Sequence, residues 1–251
     1  MIFISTVILT FNEEKNIERC IHSLRNIADE IMVVDSFSTD RTEEICHALS
    51  VRFVQHKFEG YVEQKNYIWS LATHDYVLSI DADEELSEPL RKSILEVKQN
   101  PNADGCTMNR LNNYCGRWIK HCGWYPDRKL RLAKKNLAQW GGDNPHDKLI
   151  LEQGSSTIHL TGDLLHYSFT THDEYKAQQK KFAEISAESY FKKGKRVSFL
   201  YPFLSASLKF LRDYFLNLGF LDGADGWKIC TAGASATFLK YKKLRELNSG
   251  K

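Results

Sequence analysis

The chain of 251 residues is long enough to bury a full core, and 42% apolar against 26% charged residues is the balance of a folded domain, which excludes global disorder. Its 34 basic and 32 acidic residues leave a formal charge of +2, so overall charge gives no case for nucleic acid as a partner. The 6 cysteines, Cys20, Cys46, Cys106, Cys115, Cys122 and Cys230, contain no C-x-x-C pair, which argues against a disulfide scaffold and a standard zinc site and fits a reducing cytoplasm.

Residues 1–9 are apolar but lack a basic n-region and a cleavage site, so they read as a strand start and not as a signal sequence. A β-rich run at 2–10 is followed by a turn at Asn12-Glu13-Glu14 and by Ile17, Cys20, Ile21, Leu24 and Ile27 at helical spacing. A second strand at 30–34 ends in Asp35-Ser36-Phe37-Ser38-Thr39-Asp40, where Asp40 and Glu43 have the form of a capping box for the next helix. A third strand at 51–55 and a helix at 61–72 precede Tyr76-Val77-Leu78-Ser79-Ile80-Asp81-Ala82-Asp83. This short apolar run ending in acids reads as a buried strand that delivers carboxylates to the carboxyl edge of a sheet. In an extended segment Asp81 and Asp83 point the same way and suit one cation or one polar ligand; a solvated acidic turn is the plain alternative. Ser87 caps a helix with Pro89 in its first turn. Alternating strands and helices at this spacing specify right-handed βαβ units and a parallel sheet.

From about residue 104 short strands with Gly and Asn punctuation take over, at 105–109, 129–133, 148–151 and 163–167, and no G-x-G-x-x-G is present. Trp124-Tyr125-Pro126-Asp127-Arg128-Lys129-Leu130-Arg131 mixes aromatic and basic side chains, which suits a sugar or phosphate contact or a self-packed surface loop. Thr171 and Glu174 form a capping box for a helix that runs to Lys192 and Lys193. Residues 199–221 read as one helix whose Ser205, Lys209, Arg212, Asp213 and Asn217 form a narrow polar stripe in a mostly apolar circumference. With Lys192, Lys193, Lys195 and Arg196 just before it, that helix suits an interfacial membrane association, a dimer interface or an ordinary core position. A final helix spans about 226–247.

Thr10-Phe11-Asn12-Glu13, Asp35, Gln64-Lys65-Asn66 and Asp81-Ala82-Asp83 each follow or face the end of a strand, and as a set they resemble the family-2 glycosyltransferases of GT-A fold. Residues 77–85 and 125–132 look most like the subgroup of bacterial lipopolysaccharide core β-1,4-glucosyltransferases. The resemblance implies an α/β fold, a GT-A nucleotide-binding sheet flanked by helices with a helical carboxyl-terminal extension. The transferase domain would occupy residues 1–170, its nucleotide-binding half about 1–103 and its acceptor half about 104–170, with the extension at 171–251. By this likeness Thr10, Phe11, Glu13 and Asp35 hold the base and ribose, Lys65 faces the diphosphate and Asp81 contacts ribose or metal-bound water. Asp83 and His166 ligate Mg²⁺ or Mn²⁺, although a lone strand histidine is more often structural. An inverting transfer needs a general base; Asp147, in Pro145-His146-Asp147, is the first candidate and Asp143 its rival. Trp124, Arg128 and Arg131 are candidate acceptor or phosphate contacts.

The implied activity is metal-dependent transfer of a hexose, glucose from UDP-glucose above others, to a lipopolysaccharide-core or lipid-linked glycan at the cytoplasmic membrane face. A homo-oligomer fits the same features, and nucleic acid has no place among the partners. A polyprenyl-phosphate glycosyltransferase, a nucleotidyltransferase or a nucleotide-sugar-binding module at the membrane are the alternatives left by the sequence. Ser36 in place of a second aspartate, and aspartate in place of glutamate at 147, depart from the family pattern.

Overall fold

The structure, a computed structural model, describes residues 1–143 and 146–250, and for Asp143 and His146 only the backbone. The chain divides into two compact units, one formed by residues 1–110 and 127–166, the other by residues 111–126 and those from Tyr167 on.

The first unit begins with β1 (Ile4–Thr10), α1 (Ile17–Ser23), β2 (Glu30–Asp35), α2 (Thr42–Ala48), β3 (Arg52–Gln55), α3 (Tyr61–Leu71) and β4 (Tyr76–Asp81). The parallel pairings β3-β2-β1-β4 confirm the βαβ reading. Alternation with a period of two explains why these strands read as continuous apolar runs. Ile4 and Ile8 of β1, Val33 of β2 and Leu78 and Ile80 of β4 pack on one face with Ile17, Ile21 and Leu24, and with Leu90 and Ile94 of α4 (Glu88–Gln99). Val7, Met32, Val34 and Val77 face the other side, where Ile68 and Trp69 of α3 cover them. Both faces are therefore dry, and only the strand ends can meet a polar ligand.

Beyond β4 the sheet turns antiparallel. Short β5 (Glu84–Leu86) precedes α4; then come β6 (Gly105–Tyr114), β7 (Arg117–Ile119), β8 (Asp127–Lys134), the hairpin of β9 (Ala138–Asp143) and β10 (His146–Leu151), and β11 (Thr157–Phe169). The order continues β4-β8-β6-β11-β5. Glu84-Glu85 is thus not merely the acidic turn of the plain reading; it opens a strand whose Glu84 lies opposite His166. Ser87 caps α4 as expected, accepting from the Leu90 amide at 3.4 Å. Asp40 meets the start of α2, accepting from the Thr42 amide at 3.0 Å, and it also accepts from the Glu14 amide at 3.0 Å, which joins the loop after β2 to the loop after β1.

The second unit holds α5 (His172–Lys192), whose Thr171–Glu174 capping box is present, α6 (Tyr201–Leu211) and α7 (Gly223–Asn248). The single helix expected over 199–221 is broken. After α6 a wide π turn closes through the Asn217 amide to the Arg212 carbonyl at 2.8 Å, Leu218 is left-handed at φ 54, and a 3-10 turn spans Gly219–Asp222. The reason is backbone contact: a Cβ on Gly226 would lie 1.9 Å from the Gly219 carbonyl oxygen, so the chain must fold back on two glycines. Residues 111–126 belong to this unit through buried Asp222, which accepts from the His121 amide at 3.0 Å. Among the described residues no helix is long and apolar enough to cross a membrane.

Glu30 ties the amino end of the sheet together, accepting from the Ser5 hydroxyl at 2.5 Å, from the Thr73 amide at 3.0 Å and hydroxyl at 2.8 Å, and from Arg52 at 3.2 Å. Burial opposes its charge, but these donors outweigh burial and lower its pKa from 4.5 to about 2. The folded-state value is depressed, so this carboxylate stabilises the fold fully above pH 4.5 and loses its contribution as pH falls toward about 2. Glu30→Gln is expected to flatten the urea-melt stability profile across that window, and an unchanged acid limb would remove this tie from the account.

Candidate active site

The registers of the four parallel strands decide where the site lies. Thr10 pairs beside Asp35 and Leu9 beside Asp81, so Thr10, Asp35 and Asp81 reach the same carboxyl edge. Thr10 is buried, with a hydroxyl that has no hydrogen-bond partner among the described residues. An unpartnered buried hydroxyl costs free energy, and a ligand's polar edge can satisfy it. Asp35 is fully buried and accepts from the Ser38 amide at 2.8 Å and from the Ser38 hydroxyl. Ser38 in turn accepts from the Asn12 amide at 2.7 Å, while the Asn12 carboxamide accepts from the Thr39 amide at 2.8 Å. The loops after β1 and β2 thus form one polar wall, with Phe11 exposed on it. Asn12 and Ser38 were not singled out by sequence reasoning; the clue was their place inside the two motifs that were.

Asp81 and Asp83 are brought close in sequence but given different partners. The strand ends at Asp81, so the period of two does not carry through to Asp83, which lies in the turn before β5. Asp81 is held by Lys65 at 3.3 Å and by Arg131 at 3.0 Å. Burial works against its charge, but the two cations prevail and keep the carboxyl well below its usual range. Arg131, 3% exposed, also bonds buried Glu84 at 2.9 Å, and Glu84 accepts from the Asp81 amide at 2.9 Å. The structure therefore places Arg131 beneath the site, bound to two carboxylates. Arg128 lies exposed on β8, and Trp124 belongs to the second unit, in an aromatic cluster with Tyr114, Phe169 and Tyr175.

Lys65 supplies a link that the sequence did not disclose. From a buried position on α3 its ammonium reaches Asp147 at 2.8 Å as well as Asp81, and it lies 4.3 Å from the centre of the Trp140 ring. The two candidate carboxylates thus share one cation. The side chain of Asp143, the rival base, lies outside the described residues.

Asp83 faces His166, with Oδ2 and Nε2 3.0 Å apart. Burial pulls the imidazole pKa down, the facing carboxylate outweighs it, and the net direction is up. Glu13 is pushed up, first by burial and partly by the Asp83 charge, against a bond from Asn16 at 2.7 Å. Among the described residues no cluster of three His, Cys, Asp or Glu side chains is assembled for a metal. One carboxylate oxygen and one imidazole nitrogen directed at each other are nevertheless a donor pair that fits Mg²⁺ or Mn²⁺ when phosphate oxygens complete the shell.

A sheet edge with a polar wall and a carboxylate–histidine pair is a site for a polar ligand on an α/β sheet of GT-A arrangement. Residues 5–151 match the model of glycosyl transferase family 2, and the chain belongs to that family. It is 32% identical over 255 residues to a glycosyltransferase of Rickettsia typhi, covering 98% of this chain and 87% of the relative. It is 28% identical to the lipopolysaccharide core biosynthesis glycosyltransferase LpsC of Rhizobium meliloti, covering 96% of this chain and 91% of that one. Among solved structures, S. aureus TarS in complex with UDP is similar with a TM-score of 0.49 and 15% identity, over 99% of this chain and 92% of that chain. The protein is a family-2 glycosyltransferase.

Removing Arg131 leaves Asp81 and Glu84 with too little positive charge in a dry setting, and breaking a buried ion pair on one side costs about 3–5 kcal/mol. Arg131→Met is expected to lower unfolding free energy by that order in urea melts; a loss under about 1 kcal/mol would show that the carboxylates do not depend on it.

Proposed function

We propose that the chain is an inverting, metal-dependent hexosyltransferase that moves glucose from UDP-glucose onto a lipopolysaccharide-core or lipid-linked glycan. The observation that carries this reading is the divided acidic pair, Asp81 bound to the Lys65–Asp147 chain and Asp83 bound to His166. The acceptor class is supported by the name of the relative LpsC.

In this reading Thr10, Phe11, Glu13 and Asp35 hold the nucleoside, with Asp35 fixed by Ser38 so that its carboxylate keeps one orientation. Asp83 and His166 hold a divalent cation, which when bound neutralises charge on the diphosphate leaving group. Lys65 positions Asp81 and Asp147 and adds positive charge beside them. Asp147 takes the proton of the acceptor hydroxyl as that oxygen attacks the anomeric carbon. Arg128 is an acceptor contact, whereas Arg131 acts by holding Asp81 in place.

The setting proposed is the cytoplasmic face of a membrane. Phe199, Leu200, Leu204, Leu208 and Leu216 are all about half exposed or more, with Lys192, Lys195 and Arg196 beside them in the chain, a pairing suited to an anionic surface.

Released UDP, followed with Mn²⁺ and purified core glycan, tests the reading. Asp83→Ala should abolish metal-dependent turnover. Asp147→Asn should lower kcat by roughly 100-fold or more while UDP-glucose binding persists, as for loss of a general base. Unchanged turnover in Asp83→Ala would sink the metal assignment, and equal turnover in Asp147→Asn would pass the base role to another group. UDP-glucose binding without UDP release in wild type would favour a binding module.

A further inference from the structure

The second unit contains a polar cavity of about 530 Å³ that takes no part in the donor chemistry described above. Its floor is organised by Asp213, a buried carboxylate on the π turn after α6. Asp213 accepts from Lys209 at 2.7 Å, from Arg212 Nε at 2.8 Å and from the Asn217 carboxamide at 3.2 Å. One cation suffices to neutralise a buried carboxylate, and here there are two. The cluster therefore carries one positive charge in excess, on a wall lined also by Trp124 and Gln179.

The geometry of the excess charge is informative. Arg212 spends Nε on Asp213 while its side chain is 58% exposed, and a guanidinium has two further nitrogens with hydrogens to donate. Lys209, 31% exposed, has its ammonium fixed by the same carboxylate and keeps donors beyond that bond. Two cationic heads held at one point by a buried anchor lose little entropy on meeting an anion, which is how a built anion site differs from loose surface lysines. The carboxamides of Gln179 and Asn217 and the indole of Trp124 add neutral donors and a flat apolar surface, the usual company of a sugar ring.

The polar stripe of Ser205, Lys209, Arg212, Asp213 and Asn217 thus has a direction. Three of its members line the cavity, together with Asp213 at its centre, while Leu204, Leu208, Leu211 and Phe215 on the same segment are exposed. A segment that buries a carboxylate and exposes its leucines is the reverse of an ordinary surface helix.

We propose that this cavity is a binding site for a phosphomonoester, with Lys209 and Arg212 pairing the phosphoryl oxygens and Trp124 and Gln179 meeting the group that carries it. The site stands on the second unit's own residues and does not depend on the identity of the donor sugar. Its ligand is a phosphorylated saccharide in solution or the phosphorylated head of a lipid, and the two sources share one chemistry.

The test titrates the full chain by calorimetry with inorganic phosphate and with glucose 6-phosphate, and by sedimentation with phosphatidylcholine vesicles with and without phosphatidic acid. Arg212→Gln and Lys209→Gln are compared with wild type, Arg212→Gln being the decisive variant because its exposed head can be lost without opening the core. Saturable binding of the soluble ester, roughly tenfold or more weaker in the variants, supports the site with a soluble source. Binding only to vesicles containing phosphatidic acid, lost to the same degree in Arg212→Gln, supports it with a lipid source. Absence of saturable binding to any of these probes, or binding that Arg212→Gln retains at full strength, overturns the proposal. Hydrolysis of UDP-glucose in the same samples reports on the donor site alone, so failure of that chemistry and failure of this site are read separately.

Discussion

The Asp81 carboxylate, caught between Lys65 and Arg131, is the interaction on which the first unit is organised. A charge at the end of a strand covered on both faces is unfavourable unless it is paired and hydrogen-bonded. The pairing comes from distant parts of the chain: Lys65 from α3, Arg131 from β8, with Glu84 of β5 as the second carboxylate that Arg131 holds. Each contact fixes an element. Through Glu84 it fixes β5, whose register on β11 sets His166 beside Asp83, and through Lys65 it fixes Asp147 on β10. The candidate metal pair and the candidate base are thus located by one buried charge network that starts at Asp81.

This dependence explains why the two halves of the site were unequally legible. The parallel strands announce themselves because both faces are dry, so Met32, Val33 and Val34 of β2 form an unbroken apolar run, and their short loops carry recognisable motifs. Asp35 and Asp81 could be located from such runs alone. The antiparallel strands offer no comparable pattern. β6 carries Asn109, Arg110, Asn112 and Asn113, and its neighbours β8 and β11 are neither adjacent nor ordered in sequence. Nothing local says that Glu84 will lie opposite His166, because that register is set by packing between segments far apart in the chain.

Arg131 shows the same limit from another side. An arginine in a segment rich in aromatic and basic residues has the composition of a phosphate contact, yet composition carries no information about facing. β8 is irregular at this point: Leu130 pairs with Thr107 and Leu132 with Cys106, so Arg131 is an extra residue in the strand and lies 3% exposed under Asp81, while Arg128 lies exposed. The irregularity between the two residues breaks the period of two, and nothing local in the sequence announces it. The second role of Asp40 was hidden for a related reason: an aspartate before a helix can serve its own helix and a neighbouring loop at once, and here it accepts from the amides of Thr42 and Glu14 alike.

The carboxyl-terminal segment makes the complementary argument. Steps of three and four correctly gathered Lys209, Arg212, Asp213 and Asn217 into one stripe, and periodicity would ordinarily assign such a stripe to water. Asp213 reverses that assignment. It is buried, and a buried carboxylate holds Lys209, Arg212 and Asn217 against itself, because leaving it unpaired costs more than leaving leucines in contact with solvent. The same helix cannot then turn its apolar circumference to the core, so Leu204, Leu208 and Leu211 remain exposed. The exposed apolar row and the cationic cavity are therefore two consequences of a single buried charge, as the donor-site geometry is of Asp81.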